Sequence, residues 1–131
     1  MPHDVTSLVP RHKKDFERVA AVEAAGYPAV APILPQLTEW VQDLNWPIAP
    51  RVARFLAGTG RAALPEIRHV LATNDGCWKY WCLTAVVREL PPEVLAELED
   101  DLGRIVDSPT DDETIEEVVP IARELLGLIR G

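Results

Sequence analysis

Apolar residues recur every three or four positions along almost the whole chain, the spacing that lines one side of an α-helix. Phe16, Val19, Ala20 and Val22 predict a first helix over about 13–25, stopped by Gly26, which tolerates the left-handed backbone of a helix end. Val30, Ile33, Leu34, Leu37, Trp40, Val41 and Leu44 predict a second over about 29–44, started late or kinked by Pro32 and Pro35. Ile48, Val52, Phe55 and Leu56 mark a third over about 47–57, closed by Gly58-Thr59-Gly60, and Leu64, Ile67, Val70 and Leu71 a fourth over about 62–72. Thr73-Asn74-Asp75 offers caps for a fifth over about 76–89. There Trp78, Tyr80, Trp81, Cys82, Leu83, Val86 and Val87 surround the axis on nearly all sides, which places that helix in the middle of the molecule. A sixth begins at Pro92, with Val94, Leu95, Leu98, Leu102, Ile105 and Val106 on one face and Glu93, Glu97, Asp100 and Asp101 opposite. Thr110 and Glu113 have capping-box spacing for a seventh, whose stripe runs from Ile115 to Ile129. Sustained alternation of period two is missing, so no sheet is expected.

The pattern is echoed. Ala29-Val30-Ala31-Pro32-Ile33-Leu34 is answered, about one helix-pair period later, by Ala62-Ala63-Leu64-Pro65-Glu66-Ile67, and Asn45-Trp46 by Cys77-Trp78. A helix pair that cannot bury its own apolar face must stack on a neighbour. The expected fold is therefore all-α: a HEAT-like, right-handed helical array of about seven helices. Residues 1–12 read as a tail or strap, and 13–131 as a single domain. Most of the 12 prolines stand where a helix can begin, so they punctuate the chain without opposing a helical reading.

Charge adds a bias that the fold pattern does not contain. The formal net charge is −8, and the excess is C-terminal: seven Lys/Arg face six Asp/Glu up to Pro65, against six and fifteen beyond it. Such a surface repels nucleic acid and anionic membranes and attracts basic partners. The start Met1-Pro2-His3-Asp4 lacks a basic region followed by an apolar core, and no apolar run has spanning length, so a cytoplasmic protein is expected. Cys77 and Cys82 would lie on different faces of one helix and are read as reduced core thiols.

No arrangement of residues carries a catalytic, metal or nucleotide signature. His3, His12 and His69 fit no ligand spacing, and neither a metal nor a cofactor is expected. Trp40, Trp46, Trp78, Tyr80 and Trp81 are either wedges between stacked helices or a recognition groove. In the second case Trp46, Lys79 and Tyr80 would face the partner with Asp43 alongside, Lys79 being the residue expected to be exposed. Arg11, His12 and Lys13 form a basic cluster before the first helix. Glu93, Glu97, Asp100 and Asp101 make an acidic docking face or simply the wet side of a helix.

Leu8-Val9-Pro10-Arg11-His12-Lys13-Lys14-Asp15-Phe16, Gly26-Tyr27-Pro28-Ala29-Val30, Asn45-Trp46-Pro47 and Trp78-Lys79-Tyr80-Trp81-Cys82 resemble a bacterial family known as domain of unknown function DUF5071. The likeness runs from about Leu8 to Leu126 and implies a HEAT-like helical domain, with no activity or catalytic residues to transfer. The leading expectation is a non-enzymatic interaction module, of the immunity or antitoxin type, that binds a basic protein as a monomer or weak dimer. Two alternatives are a small-ligand site walled by tryptophans and a nucleic-acid enzyme resembling HEAT-like DNA glycosylases. The acidic charge opposes the last of these.

Overall fold

The computed structural model describes residues 5–131; the start of the expected tail, His3 included, lies outside the described residues. Within them there is no strand. Nine α-helices run in order: α1 (Phe16–Ala25), α2 (Leu34–Glu39), α3 (Ala49–Gly58), α4 (Leu64–Leu71), α5 (Gly76–Ala85), α6 (Pro92–Leu95), α7 (Glu99–Asp107), α8 (Asp111–Ile115) and α9 (Val118–Arg130). Five short 3₁₀ turns link or extend them. The first, Val5–Leu8, packs on α1 and on the turn Ala31–Ile33, so this part of the N-terminal segment lies against the body of the protein.

Nine helices stand where seven were expected, because two long stripes are broken. The α8–α9 break falls at Glu117, which takes a left-handed conformation with φ 59°. Pro120 lies three residues on, and its ring would strike the Glu116 carbonyl in a continuous helix. The sixth stripe tightens into a 3₁₀ turn over Ala96–Leu98, and α7 restarts with Glu99, Asp100 and Asp101 in its first turn, where the helix dipole favours carboxylates. The second helix is also much shorter than its stripe. Pro32 sits in the Ala31–Ile33 turn, Pro35 falls in the first turn of α2, and beyond Glu39 the amides of Val41 and Gln42 bond three residues back. Val30 and Val41 remain fully buried, so the apolar stripe is satisfied without a continuous helix.

The echo survives in a shifted register. In both copies a 3₁₀ turn leads directly into a helix opening Leu-Pro, at Leu34-Pro35 and at Leu64-Pro65. Asp75 caps α5 by accepting from the Trp78 amide at 3.0 Å, and Thr110 with Glu113 forms a reciprocal capping box on α8, as their spacing predicts. α3 packs on α1, α2 and α5; α4 packs on α2 and α5; α9 packs on α5, α7 and α8. α5 touches α3, α4, α8 and α9, the central position that its apolar girth requires.

Trp78 is the aromatic wedge of this core. Its indole N–H donates to the Thr38 carbonyl of α2 at 3.2 Å, and His69 of α4 meets it edge-on. Trp81, nearly one turn further along α5, is only half-buried. Gly76 permits a close helix approach: a Cβ there would lie 2.3 Å from the Asp112 carbonyl oxygen of α8. Trp78→Ala should cost about 3–5 kcal/mol of unfolding free energy, and Trp81→Ala clearly less. Gly76→Ala should cost about 1–3 kcal/mol, because the obstacle is backbone. Chemical denaturation of the three variants checks the order; equal loss at Trp78 and Trp81 would contradict it.

Candidate functional site

Lys79 corrects the sequence expectation. It is 1% exposed, because the rotation that buries Trp78 against α2 turns Lys79 into α8. Its Nζ donates to Glu113 Oε2 at 2.9 Å and lies 2.8 Å from Asp112 Oδ2. The Asp112 contact is electrostatic only, since that buried oxygen has no hydrogen bond of proper geometry. Glu113, with no exposed surface, also takes the two-pronged guanidinium of Arg104 at 2.7 and 2.6 Å and the Thr110 amide at 2.9 Å. Two cations thus balance two carboxylates inside a junction of α5, α7 and α8. Burial alone would push the Glu113 carboxyl up, but Arg104, the Thr110 amide and Lys79 together hold it down to about 2. Asp112 is also lowered: burial works against it, and Lys79 and the Thr110 hydroxyl outweigh the burial.

The acidic face is similarly occupied in part. Glu97 pairs with Arg61 at 2.6 Å and Asp101 with Arg68 at 3.3 Å, stitching the turn before α4 to the turn Ala96–Leu98, and α4 itself to α7. Glu93 and Asp100 stand exposed. Arg11 at the basic cluster is committed too: it forks onto the buried carboxylate of Asp15, the α1 cap, and holds that carboxyl far below its usual range. His12 and Lys13 are exposed, and the Lys13 carbonyl accepts from the Ile48 amide at 3.1 Å, which brings this cluster beside the Trp46 loop.

Four aromatic residues, Trp40, Trp46, Tyr80 and Trp81, form a band on the surface. Trp40 and Trp46 meet edge-to-face with centroids 5.5 Å apart, beside a depression of about 310 Å³ that Val9, Pro10, Gln36, Glu39 and Gln42 also line. Tyr80 and Trp81 meet in the same manner at 5.2 Å, beside a second depression of about 290 Å³ with Cys77, Ile115, Glu116 and Glu117. Cys77 Sγ reaches the Gln42 carbonyl at 3.9 Å, so the two depressions adjoin. Among the described residues no lysine or arginine lines either of them. Burial raises the Cys77 thiol, with Glu116, Asp75 and Asp43 adding to it, and so Asp43 contributes negative potential to this band. Asp43 itself accepts from the Asn45 amide at 2.9 Å, which shapes the turn that presents Trp46.

Of the residues singled out from the sequence, Trp46, Tyr80 and Asp43 are therefore brought together, Lys79 is withdrawn, and Glu93, Glu97, Asp100 and Asp101 belong to another face. Cys77 also departs from expectation: it is exposed, whereas Cys82 is buried and its thiol is pushed up to about 12 by that burial. Trp40 and Trp81, which the sequence offered as either wedges or groove, lie in the band, and Glu39, Glu116 and Glu117 join it without having been anticipated as its members. Among the described residues no helix is long and apolar enough to cross a membrane, and no group of three His, Cys, Asp or Glu is placed to hold a metal ion.

The family profile described as "Domain of unknown function (DUF5071)" matches residues 8–126. The chain belongs to the DUF5071 family. No curated protein matches it. In this DUF5071 domain the Trp-Lys-Tyr-Trp block divides its labour: Trp78 and Lys79 face inward, Tyr80 and Trp81 outward.

Lys79→Met should destabilise the domain by about 3 kcal/mol, the low end for breaking a buried pair because Arg104 still serves Glu113. The pH dependence has a definite sign. A folded carboxyl held below its unfolded value contributes stability above about pH 4.5, and that contribution fades as pH falls toward the folded value of about 2. Acid titration of unfolding free energy should show this loss in the native domain and a flatter curve in Glu113→Gln.

Proposed function

We propose that this DUF5071 domain is a non-enzymatic interaction module, of the immunity or antitoxin type, that captures a basic partner on the aromatic band. The observation that carries this reading is the band's composition: four half-buried aromatic side chains rimmed by Glu39, Glu116 and Glu117, with no cation among the lining residues. Aromatic faces and carboxylates together suit a lysine or arginine side chain, whose charge is drawn to both. Tryptophan and tyrosine are also the side chains that dominate interface energetics. The same rim disfavours phosphate and so speaks against the nucleic-acid alternative.

A HEAT-like, right-handed arrangement is part of the proposal. It is supported by alternate packing, in which α1, α3, α5 and α9 touch in succession while α2 touches α4. In that arrangement the loop carrying Trp46 and the outer face of α5 lie on consecutive units, which gives an elongated partner segment two points of attachment.

Intrinsic tryptophan fluorescence tests the reading with defined probes: hexapeptides carrying lysine and arginine, and glutamate-substituted counterparts of equal length. The cationic peptides should perturb the emission saturably, and Trp46→Ala or Tyr80→Ala should weaken that response about tenfold, as expected for residues worth roughly 1–2 kcal/mol at an interface. Equal responses to both peptide charges, or none, would remove the reading.

A further inference from the structure

Arginines in this protein are almost all committed to carboxylates of their own chain. Arg11 and Arg18 contact Asp15, Arg51 pairs with Glu23, Arg61 with Glu97, Arg68 with Asp101, Arg88 with Glu124, Arg104 with Glu113 and Arg130 with Glu99. Arg54 and Arg123 have no ion-pair partner among the described residues, and of these two Arg54 lines a cleft of about 580 Å³. Glu89 lines the same cleft without pairing to it. Leu44, Ala57 and Ala85 supply apolar surface there, bounded by Pro50 and Pro91. In the concavity formed by Arg68, Leu71, Ala72, Asp100, Asp101 and Arg104, by contrast, both arginines already hold carboxylates.

A guanidinium and a carboxylate that line one cleft without pairing, with apolar surface beside them, match a ligand that carries both charges around an apolar centre. We propose that this cleft is a binding site for a short free peptide with apolar side chains, its terminal carboxylate on Arg54 and its terminal ammonium at Glu89. The side chains would cover Leu44, Ala57 and Ala85. The volume falls within the range of about 300–1,000 Å³ usual for small-ligand sites, and exceeds what one amino acid needs. The positions are anchored firmly: Arg54 and Ala57 sit on α3, Ala85 ends α5, and Glu89 closes the 3₁₀ turn Val87–Glu89. The site is separate from the aromatic band and stands whether or not the band binds a basic partner.

Amide chemical shifts of the full chain, followed during titration with leucyl-leucine, test it. Saturable shifts confined to the surroundings of Leu44, Ala57 and Ala85 are expected, with affinity in the millimolar range. Capping the carboxylate as an amide, or Arg54→Ala, should weaken binding about tenfold or more, as for loss of a charge-assisted hydrogen bond. N-acetylation or Glu89→Gln should weaken it by a smaller factor of about three. Trp46→Ala should leave it unchanged. Absence of saturable shifts, or equal binding of the amidated peptide, would overturn the site. Full binding of the N-acetylated peptide would overturn the free peptide as its occupant.

Discussion

The rotation of α5 about its own axis is set by one buried ion, the Lys79 ammonium. A charge withdrawn from water is penalised by several kcal/mol unless its partners meet it with good geometry. Here those partners are Glu113, fixed at the start of α8 by its capping box, and Asp112 beside it. Glu113 is in turn oriented by the Arg104 fork from α7. Turning α5 by one residue would leave Glu113 and Lys79 apart in a dry interior. It would also drive the α5 backbone at Gly76 away from Asp112, where there is space only for hydrogen. The network therefore selects a single register for three helices.

That register determines what the surface presents. With Lys79 held against α8 and Trp78 bonded to Thr38 of α2, the next two residues of the helix must point between those directions and outward. Tyr80 and Trp81 thus stand half-exposed, next to the loop in which Asp43 shapes the presentation of Trp46. A structural cation inside and an aromatic band outside are consequences of the same helix phase. The carboxylates that follow Glu113 on α8 and its end, Glu116 and Glu117, reach the band for the same reason: α8 is docked where Lys79 and Gly76 put it.

Local signals were legible because each depends on a few neighbouring residues. The caps at Asp75 and Thr110, the stop at Gly26 and the late start set by Pro32 and Pro35 follow from residues within one turn, and the central place of α5 from the apolar girth of that one helix. The break at Glu117 was legible in principle from Pro120, but the unbroken apolar stripe masked it, since a stripe reports burial and a proline reports backbone continuity. Lys79 was misread for a different reason. Its partner lies 34 residues away, and Glu113 already had a local explanation as a capping residue, so nothing in the sequence required it to serve a second cation. Pairing across such distances is invisible to periodicity.

The same long-range pairing changes what the acidic composition means. Several of the C-terminal carboxylates are held by the protein's own arginines, as at Arg61–Glu97, Arg68–Asp101, Arg88–Glu124 and Arg130–Glu99, mostly exposed contacts worth little individually but consistent in linking sequence-distant elements. Net charge therefore overstates the field available at α7 and understates it at the aromatic band, where Glu39, Glu116 and Glu117 line the depressions and no lysine or arginine is among the described lining residues. Affinity for a basic segment depends on carboxylates left unpaired beside a surface that sheds water readily, and an aromatic surface does so where a bare acidic helix does not. On that ground the band, and not the more acidic face of α7, is where a cationic partner gains most from docking.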